Sequence, residues 1–312
     1  MVWVVVPALN EAENLAVLVP RILEALAEVD PEGRVLVVDD GSTDDTGAVV
    51  EKLMAEHEAV LLETLRRNMG KAAALHRGFS RALAAGADVV VMMDADGQDE
   101  PNELARLVTP IREGDADLVT GARRQRQDRF IKRNTSKLYN GVTHLLSGTP
   151  GRDFNSGYKA MRADVARDVL PMMYGEMHRY LTVLAHQSGY RVAEEPVVHH
   201  PRMSGSSKYG LARFWRGFSD LLTVRFLLSY ENRPSHLFGG VGALCFLVGT
   251  LMLGYLTIIK IFGEPIGNRP LLLAGVLFTL VGLQLALFGL LAELIVHARN
   301  RGNPGVGPGP QA

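Results

Sequence analysis

The stretch DVVVMMDADGQDEP, residues 88–101, runs from unbroken β-branched and apolar residues straight into a cluster of acids. A short apolar run bounded by turn-forming residues reads as a strand buried on both faces. Asp94 and Asp96 then leave its end, and two carboxylates so spaced suit a hard divalent cation such as Mg2+ or Mn2+. The same Asp-Ala-Asp tripeptide recurs at 115–117, in EGDADLVTG, so the pattern by itself locates nothing. Position in the fold has to decide between the copies.

Working outward, similar runs alternate with helical patterns. WVVV (3–6) precedes a helix near 12–28, VLVV (35–38) one near 44–57, and AVLLE (59–63) one near 71–85. The 88–93 run precedes a helix near 101–112, and DLVTG (117–121) follows. Such alternation with Val-rich strands predicts an α/β fold, a mostly parallel sheet covered by helices on both faces. Ligands in these sheets bind beyond the carboxyl ends of the strands. The segments at those ends are PALNE, DDGSTDDT, TLRRNMGK, DADGQDEP and GARR, so acids, glycines and arginines gather on one edge. Asp94 and Asp96 lie on that edge. Asp115 and Asp117 enter a strand from the opposite edge, where a solvated turn is expected.

The chain has 312 residues, a formal charge of −1 and 47% hydrophobic residues. That length accommodates one large domain and an appendage. Near-neutral charge argues against a nucleic-acid partner. The single cysteine, Cys245, excludes an internal disulfide framework and a multi-cysteine zinc site, and its apolar surroundings suit a small hydrophobe. The start, MVWVVVPALNE, has no basic n-region, so no signal peptide is expected and the N-terminal part is placed in the cytoplasm.

Two runs, 237–262 and 270–296, are almost wholly apolar. A helix of ~26 residues is roughly 39 Å long against a ~30 Å hydrocarbon core, enough to span with tilt. The expectation is a transmembrane hairpin in the cytoplasmic membrane. Arg225 and Arg233 before it and Arg299 and Arg301 after it put both termini in the cytoplasm. Its glycines allow association into a homo-oligomer. Residues 211–233 mix large apolar groups with Arg213, Arg216 and Arg225, as an interfacial amphipathic helix would, and 301–312 read as a disordered tail.

Pro7, Asn10 and Glu11 in PALNE, then VVDDGSTDDT, RNMGKAAAL, DADGQDEP and DFNSGYKAMR, follow one another in an order that resembles glycosyltransferase family 2. Within it they are similar to the branch containing dolichyl-phosphate mannose synthase and bacterial polyprenyl-phosphate glycosyltransferases. The resemblance covers about residues 2–230 and implies a GT-A fold on residues 1–210 with a nucleotide-diphosphate sugar as donor. It implies nucleotide-sugar contacts from Pro7, Glu11, Asp39, Asp40, Lys71 and Asp94, and metal ligation by Asp96 and Gln98 with Asp94 close by. Two departures are Gly97, where the family more often has leucine, and Leu9, where many members have tyrosine.

The segment 121–137, GARRQRQDRFIKRNTSK, carries seven basic residues against one acid. Arginine grips phosphate oxygens in a fork, so an anionic headgroup is the natural ligand. A solvated basic face, a membrane-surface patch and a nucleic-acid site are the rival readings of that charge. The resemblance implies that Arg123, together with Lys132 or Arg133 and with Ser136, holds the phosphate of a polyprenyl phosphate lipid. Asp153 matches a position proposed as catalytic base, although a phosphate monoester is already ionised near neutral pH and needs little deprotonation. Arg202 and Lys208, in the glycine- and serine-rich segment 199–210, match residues that close over the donor diphosphate. The expected activity is inverting, metal-dependent transfer of a hexose, from a donor of UDP-glucose or GDP-mannose type, to undecaprenyl phosphate. The alternatives are a processive polysaccharide synthase, which lacks here its Gln-x-x-Arg-Trp motif, and a non-catalytic membrane protein that binds nucleotide sugars.

Overall fold

The computed structural model describes residues 1–123, 149, 151, 153, 154, 156–175, 177–200, 235–267 and 269–302. The chain divides into two units, Met1–Arg225 and Phe226–Ala312.

The first unit is built on a seven-stranded sheet in the order β3-β2-β1-β4-β6-β5-β7. Its strands are β1 (Val2–Ala8), β2 (Arg34–Asp39), β3 (Val60–Thr64), β4 (Val89–Met92), β5 (Leu118–Arg123), β6 (Lys159–Arg162) and β7 (Val192–Val197). β1 to β4 pair in parallel, as their unbroken valine runs predict. Val2 to Val6 are all buried, which requires cover on both sheet faces. β6 runs antiparallel between β4 and β5, so its first residue lies on the edge where β4 and β5 end. β5 and β7 pair in parallel.

Helices α1 (Ala12–Val29), α2 (Thr46–Glu56), α3 (Lys71–Ala84) and α4 (Leu104–Arg112) fall where the periodicity predicts, with a 3-10 turn at Pro101–Glu103 leading into α4. α1 buries Leu15, Leu18, Val19, Ile22 and Leu26, the i, i+3, i+4, i+7 stripe of a helix lying on a sheet. Each such side chain contributes about 1.5–3 kcal/mol on burial. Two short helices, α5 (Ala163–Val169) and α6 (Leu181–Gln187), were not expected from the sequence. Gly78 lets α3 approach β1, since a Cβ there would run into Val5 Cγ1.

The second Asp-Ala-Asp copy lies at the entrance of β5, on the edge predicted, but Asp117 is not in a solvated turn. It is buried and paired with Arg162 at 3.2 Å and Arg191 at 3.1 Å. Hydrogen bonds from Arg191, assisted by the charge of Arg162, hold its carboxyl below the usual range.

The second unit is a hairpin of two apolar helices, α7 (Ser235–Ile261) and α8 (Pro270–Gly302), the latter two residues longer than the expected start of the tail. Their most apolar stretches, Phe238–Ile261 and Pro270–Ile295, are long enough to cross a membrane and only 17% and 11% buried. That exposure separates them from the core helices of a soluble protein. They meet through glycines: a Cβ on Gly242 would lie 2.8 Å from the Gly282 carbonyl oxygen, and one on Gly249 2.5 Å from the Thr279 nitrogen. Small residues permit such backbone approach where neighbouring lipid is as apolar as leucine. Thr279 returns its hydroxyl to the Gly275 carbonyl at 2.8 Å, so it presents no orphan donor.

Candidate active site

The loops beyond β1, β2 and β3 interlock. Asn10, the one non-glycine residue with positive φ among the described residues, donates its N–H to Ser42 Oγ at 2.9 Å and accepts the Thr43 N–H at 2.8 Å. Glu11 donates its N–H to Thr46 Oγ1 at 3.0 Å. Pro7 precedes them, half-buried at the end of β1. Asp39 accepts the Ser42 N–H at 2.9 Å and its hydroxyl at 2.5 Å. Asp40 accepts the Met69 and Gly70 amides at 2.7 and 2.8 Å, fixing the entry to α3. Gly41, at φ +71°, fits under the backbone of Arg67, where a Cβ would come within 2.5 Å. Asp39 and Asp40 therefore carry structural hydrogen bonds in the wall to which the resemblance assigns nucleoside binding.

Asp94 leaves β4 and is paired with Lys71 at the start of α3. Burial alone would raise its pKa, but the Lys71 charge and hydrogen bond, assisted by Lys159, hold it below the usual carboxylate range. Gly157 packs against it: a Cβ there would lie 2.6 Å from Asp94 Oδ2. Asp96 is buried and accepts the Gln98 N–H at 3.2 Å across Gly97, whose φ is +69°. Gln98 is tied to the segment after β7. Its carbonyl accepts the His200 N–H at 2.7 Å and its side-chain amide donates to the His200 carbonyl at 3.2 Å. His199 meets Asp99 at 3.3 Å and His200 meets Glu100 at 2.9 Å, and Glu100 also takes Arg21 at 2.7 Å.

At the end of β5 the Arg123 guanidinium grips Asp153 in a fork, Nε to Oδ2 at 2.6 Å and Nη2 to Oδ1 at 2.7 Å. Both partners are largely buried, at 19% and 7% side-chain exposure, which marks this as more than a surface pair. The Asp153 N–H donates to Glu194 Oε1 at 2.8 Å.

The structure thus brings Pro7, Glu11, Asp39, Asp40, Lys71, Asp94, Asp96, Gln98, Arg123 and Asp153 to one sheet edge. Lys132, Arg133, Ser136, Arg202 and Lys208 lie outside the described residues, as does the 211–233 segment. Two buried groups escaped the sequence reading. Lys159, wholly buried, has its pKa lowered to about 8 by burial, against the pull of Asp153. His178, in the 3-10 turn Met177–Tyr180, is lowered to about 3 by burial, then by Lys71 and Arg179, and so stays neutral.

The glycosyl transferase family 2 model matches residues 3–187, more than half of the chain and every strand-end motif up to β6. The chain belongs to that family. Among relatives, it is 34% identical over 302 residues to the dodecaprenyl-phosphate galacturonate synthase of Rhizobium johnstonii, covering 95% of this chain and 88% of that protein. It is 30% identical to the undecaprenyl-phosphate 4-deoxy-4-formamido-L-arabinose transferase of Proteus mirabilis, covering 96% and 89%. Among solved structures, a mannosyltransferase from Pyrobaculum calidifontis in complex with GDP-Man and Mn2+ superposes with a TM-score of 0.51 at 18% identity, covering 98% of this chain and 76% of that one. Glucosyl-3-phosphoglycerate synthase from Mycobacterium tuberculosis, with Mn2+, UDP-glucose and phosphoglyceric acid, gives 0.51 at 21%, covering 72% and 79%. At such identities these structures speak for the GT-A fold of the family member and no further.

Proposed function

We propose that the chain transfers a hexose from a nucleotide-diphosphate sugar to a polyprenyl phosphate, with inversion, at the cytoplasmic face of a membrane. The observation that carries this reading is the adjacency, on one sheet edge, of the acid-rich end of β4 and the buried Arg123–Asp153 pair at the end of β5. A donor with a charged leaving group needs the first, and an anionic acceptor the second. The two relatives support the acceptor class, since the names of both join a polyprenyl phosphate to a sugar. Their sugars differ from each other, so the donor is left to assay. The apolar hairpin α7–α8 suits a membrane anchor, and the basic residues flanking it favour cytoplasmic termini.

Asp96 and Gln98 fit Mg2+ or Mn2+. Both offer hard oxygens, and the Gln98 amide nitrogen is committed to the His200 carbonyl, which turns its oxygen the other way. Asp94 has one oxygen on Lys71 and would stand beside the ion or the ribose. When bound, the cation neutralises the charge that develops on the departing nucleoside diphosphate. Arg202 and Lys208 are assigned to the same diphosphate. Arg123, with Lys132, Arg133 and Ser136, binds the acceptor phosphate, and Asp153 keeps the guanidinium plane fixed. A phosphate monoester has its second pKa near ~6, so an acceptor oxygen attacks the anomeric carbon as an anion while the bond to the nucleoside diphosphate breaks. No proton has to move, which frees Asp153 from the role of base.

The test is a transfer screen with the purified full chain, undecaprenyl phosphate and Mn2+ or Mg2+. Labelled UDP-glucose, UDP-N-acetylglucosamine, UDP-galacturonate and GDP-mannose are supplied in turn. Label entering the organic phase from one donor, and lost with chelator and in Asp96→Ala, is the expected result. A folded, nucleotide-binding protein that transfers from none of them to the lipid would sink the proposal.

A further inference from the structure

Lys159 opens β6 with no exposed surface. A lysine so buried is rare unless its ammonium is satisfied. Among the described residues its partners are backbone oxygens: Nζ donates to the Phe154 carbonyl at 3.1 Å and to the Ser156 carbonyl. Both carbonyls belong to the stretch that carries Asp153 to Arg123 and Gly157 to Asp94. In the sheet, Lys159 lies opposite Met92 of β4 on one side and Thr120 of β5 on the other. It therefore stands between the strand that ends in Asp94 and the strand that ends in Arg123.

We infer that Lys159 is a positioning residue of the transfer reaction: its grip on the Phe154 and Ser156 carbonyls fixes the Asp153–Gly157 stretch and so sets the spacing between the Asp94 side and the Arg123 side. The inference rests on the functional reading above for what the two sides bind. An apolar side chain of similar size would fill the space but leave two inward carbonyls without their donor. The charges around the ammonium are balanced, Asp153 and Asp94 against Lys71 and Arg123, so its removal also leaves two carboxylates with less compensation.

The experiment compares wild type, Lys159→Met and Lys159→Arg as full-length protein in lipid nanodiscs. Three quantities are read: transfer kinetics, affinity for UDP and GDP with Mn2+, and amide hydrogen exchange of peptides covering 153–158. In Lys159→Met, nucleotide affinity is expected to stay within about twofold while kcat falls by roughly 10–100-fold, the scale of leaving buried polar groups unpaired. Exchange over 153–158 is expected to quicken by about tenfold, with distant peptides unchanged. Lys159→Arg, which keeps the charge and the donors, is expected to recover most of kcat. A folded Lys159→Met protein with wild-type kcat, or with wild-type exchange over 153–158, overturns the inference. Where Lys159→Met does not fold, Lys159→Gln carries the same test with smaller expected effects and the same overturning result. A wild type that transfers no sugar to lipid defeats the functional reading instead, and the exchange data still decide whether Lys159 holds the stretch.

Discussion

Arg123 and Asp153 form a forked, largely buried ion pair across the gap between β5 and the approach to β6, with contacts of 2.6 and 2.7 Å. Both carboxylate oxygens are turned to the guanidinium, and this geometry fits a carboxylate that orients an arginine better than one that collects a proton. Removing one partner of a buried pair costs up to about 3–5 kcal/mol because the other loses its nearest compensating charge. Asp153→Asn is therefore expected to lower kcat/KM for the lipid acceptor by about 10²–10³-fold. Arg123→Ala should cost as much, and the double variant little more than either. The acid limb of the rate profile, set by the acceptor phosphate, should survive in Asp153→Asn. Its disappearance would make Asp153 the base after all.

Lys71 and Asp94 are expected to show themselves in the pH dependence of stability. The Asp94 pKa is depressed in the folded chain, so the pair stabilises above the unfolded value of about 3.9 and its contribution fades as pH falls through the folded value. Lys71→Met leaves a half-buried carboxylate with less positive charge beside it and raises its pKa. The gap in Tm between wild type and Lys71→Met should be widest near neutral pH and close on acidification. A gap that does not change between pH 2 and 7 would show that the charge of Asp94 is not what Lys71 stabilises.

The first five strands and first four helices were legible because valine runs and 3.6-residue stripes report burial directly. β6 was not, since KAMR is four residues with a charge at each end, and its buried lysine is satisfied by backbone carbonyls that no sequence displays. Asp117 shows the same limit from another side. Its sheet edge followed from strand order, but its partners Arg162 and Arg191 are 45 and 74 residues away, so a buried carboxylate paired with two half-exposed arginines was read as a solvated turn. The strand-end motifs could be placed together because topology alone gathers them at one edge. The hydrogen bonds that commit Asp40 to the amides of Met69 and Gly70 were invisible for the opposite reason, as they involve only backbone donors.

Gly157 offers a test of how closely the two sides of the site must approach. A methyl group there would lie 2.6–2.8 Å from the Asp94 carboxylate. Asp94 is held by Lys71, so it yields only by breaking that contact. Gly157→Ala is expected to lower kcat by about tenfold or more, while Tm moves by no more than a few degrees. Paired kinetic and thermal measurements check this. An active Gly157→Ala enzyme would mean that Asp94 can be displaced without consequence.

The two Asp-Ala-Asp copies should separate cleanly under substitution, because one stands at the carboxyl ends of the strands and the other at the entrance to β5. Asp96→Ala removes the oxygen ligand proposed for the cation, together with the acceptor of the Gln98 N–H. It is expected to abolish transfer in a protein that still folds, with activity and circular dichroism measured on the same sample. Asp117→Ala removes the acceptor shared by Arg162 and Arg191, both half exposed, so solvent screens much of the loss. Its Tm should fall by roughly 2–4 °C, with kcat per folded molecule unchanged. Because the Asp117 pKa is depressed, that difference in Tm should shrink as pH drops below about 4, where the carboxylate is protonated in the unfolded chain. If Asp117→Ala instead eliminated transfer in a folded protein, the assignment of chemistry to the β4 edge would be wrong.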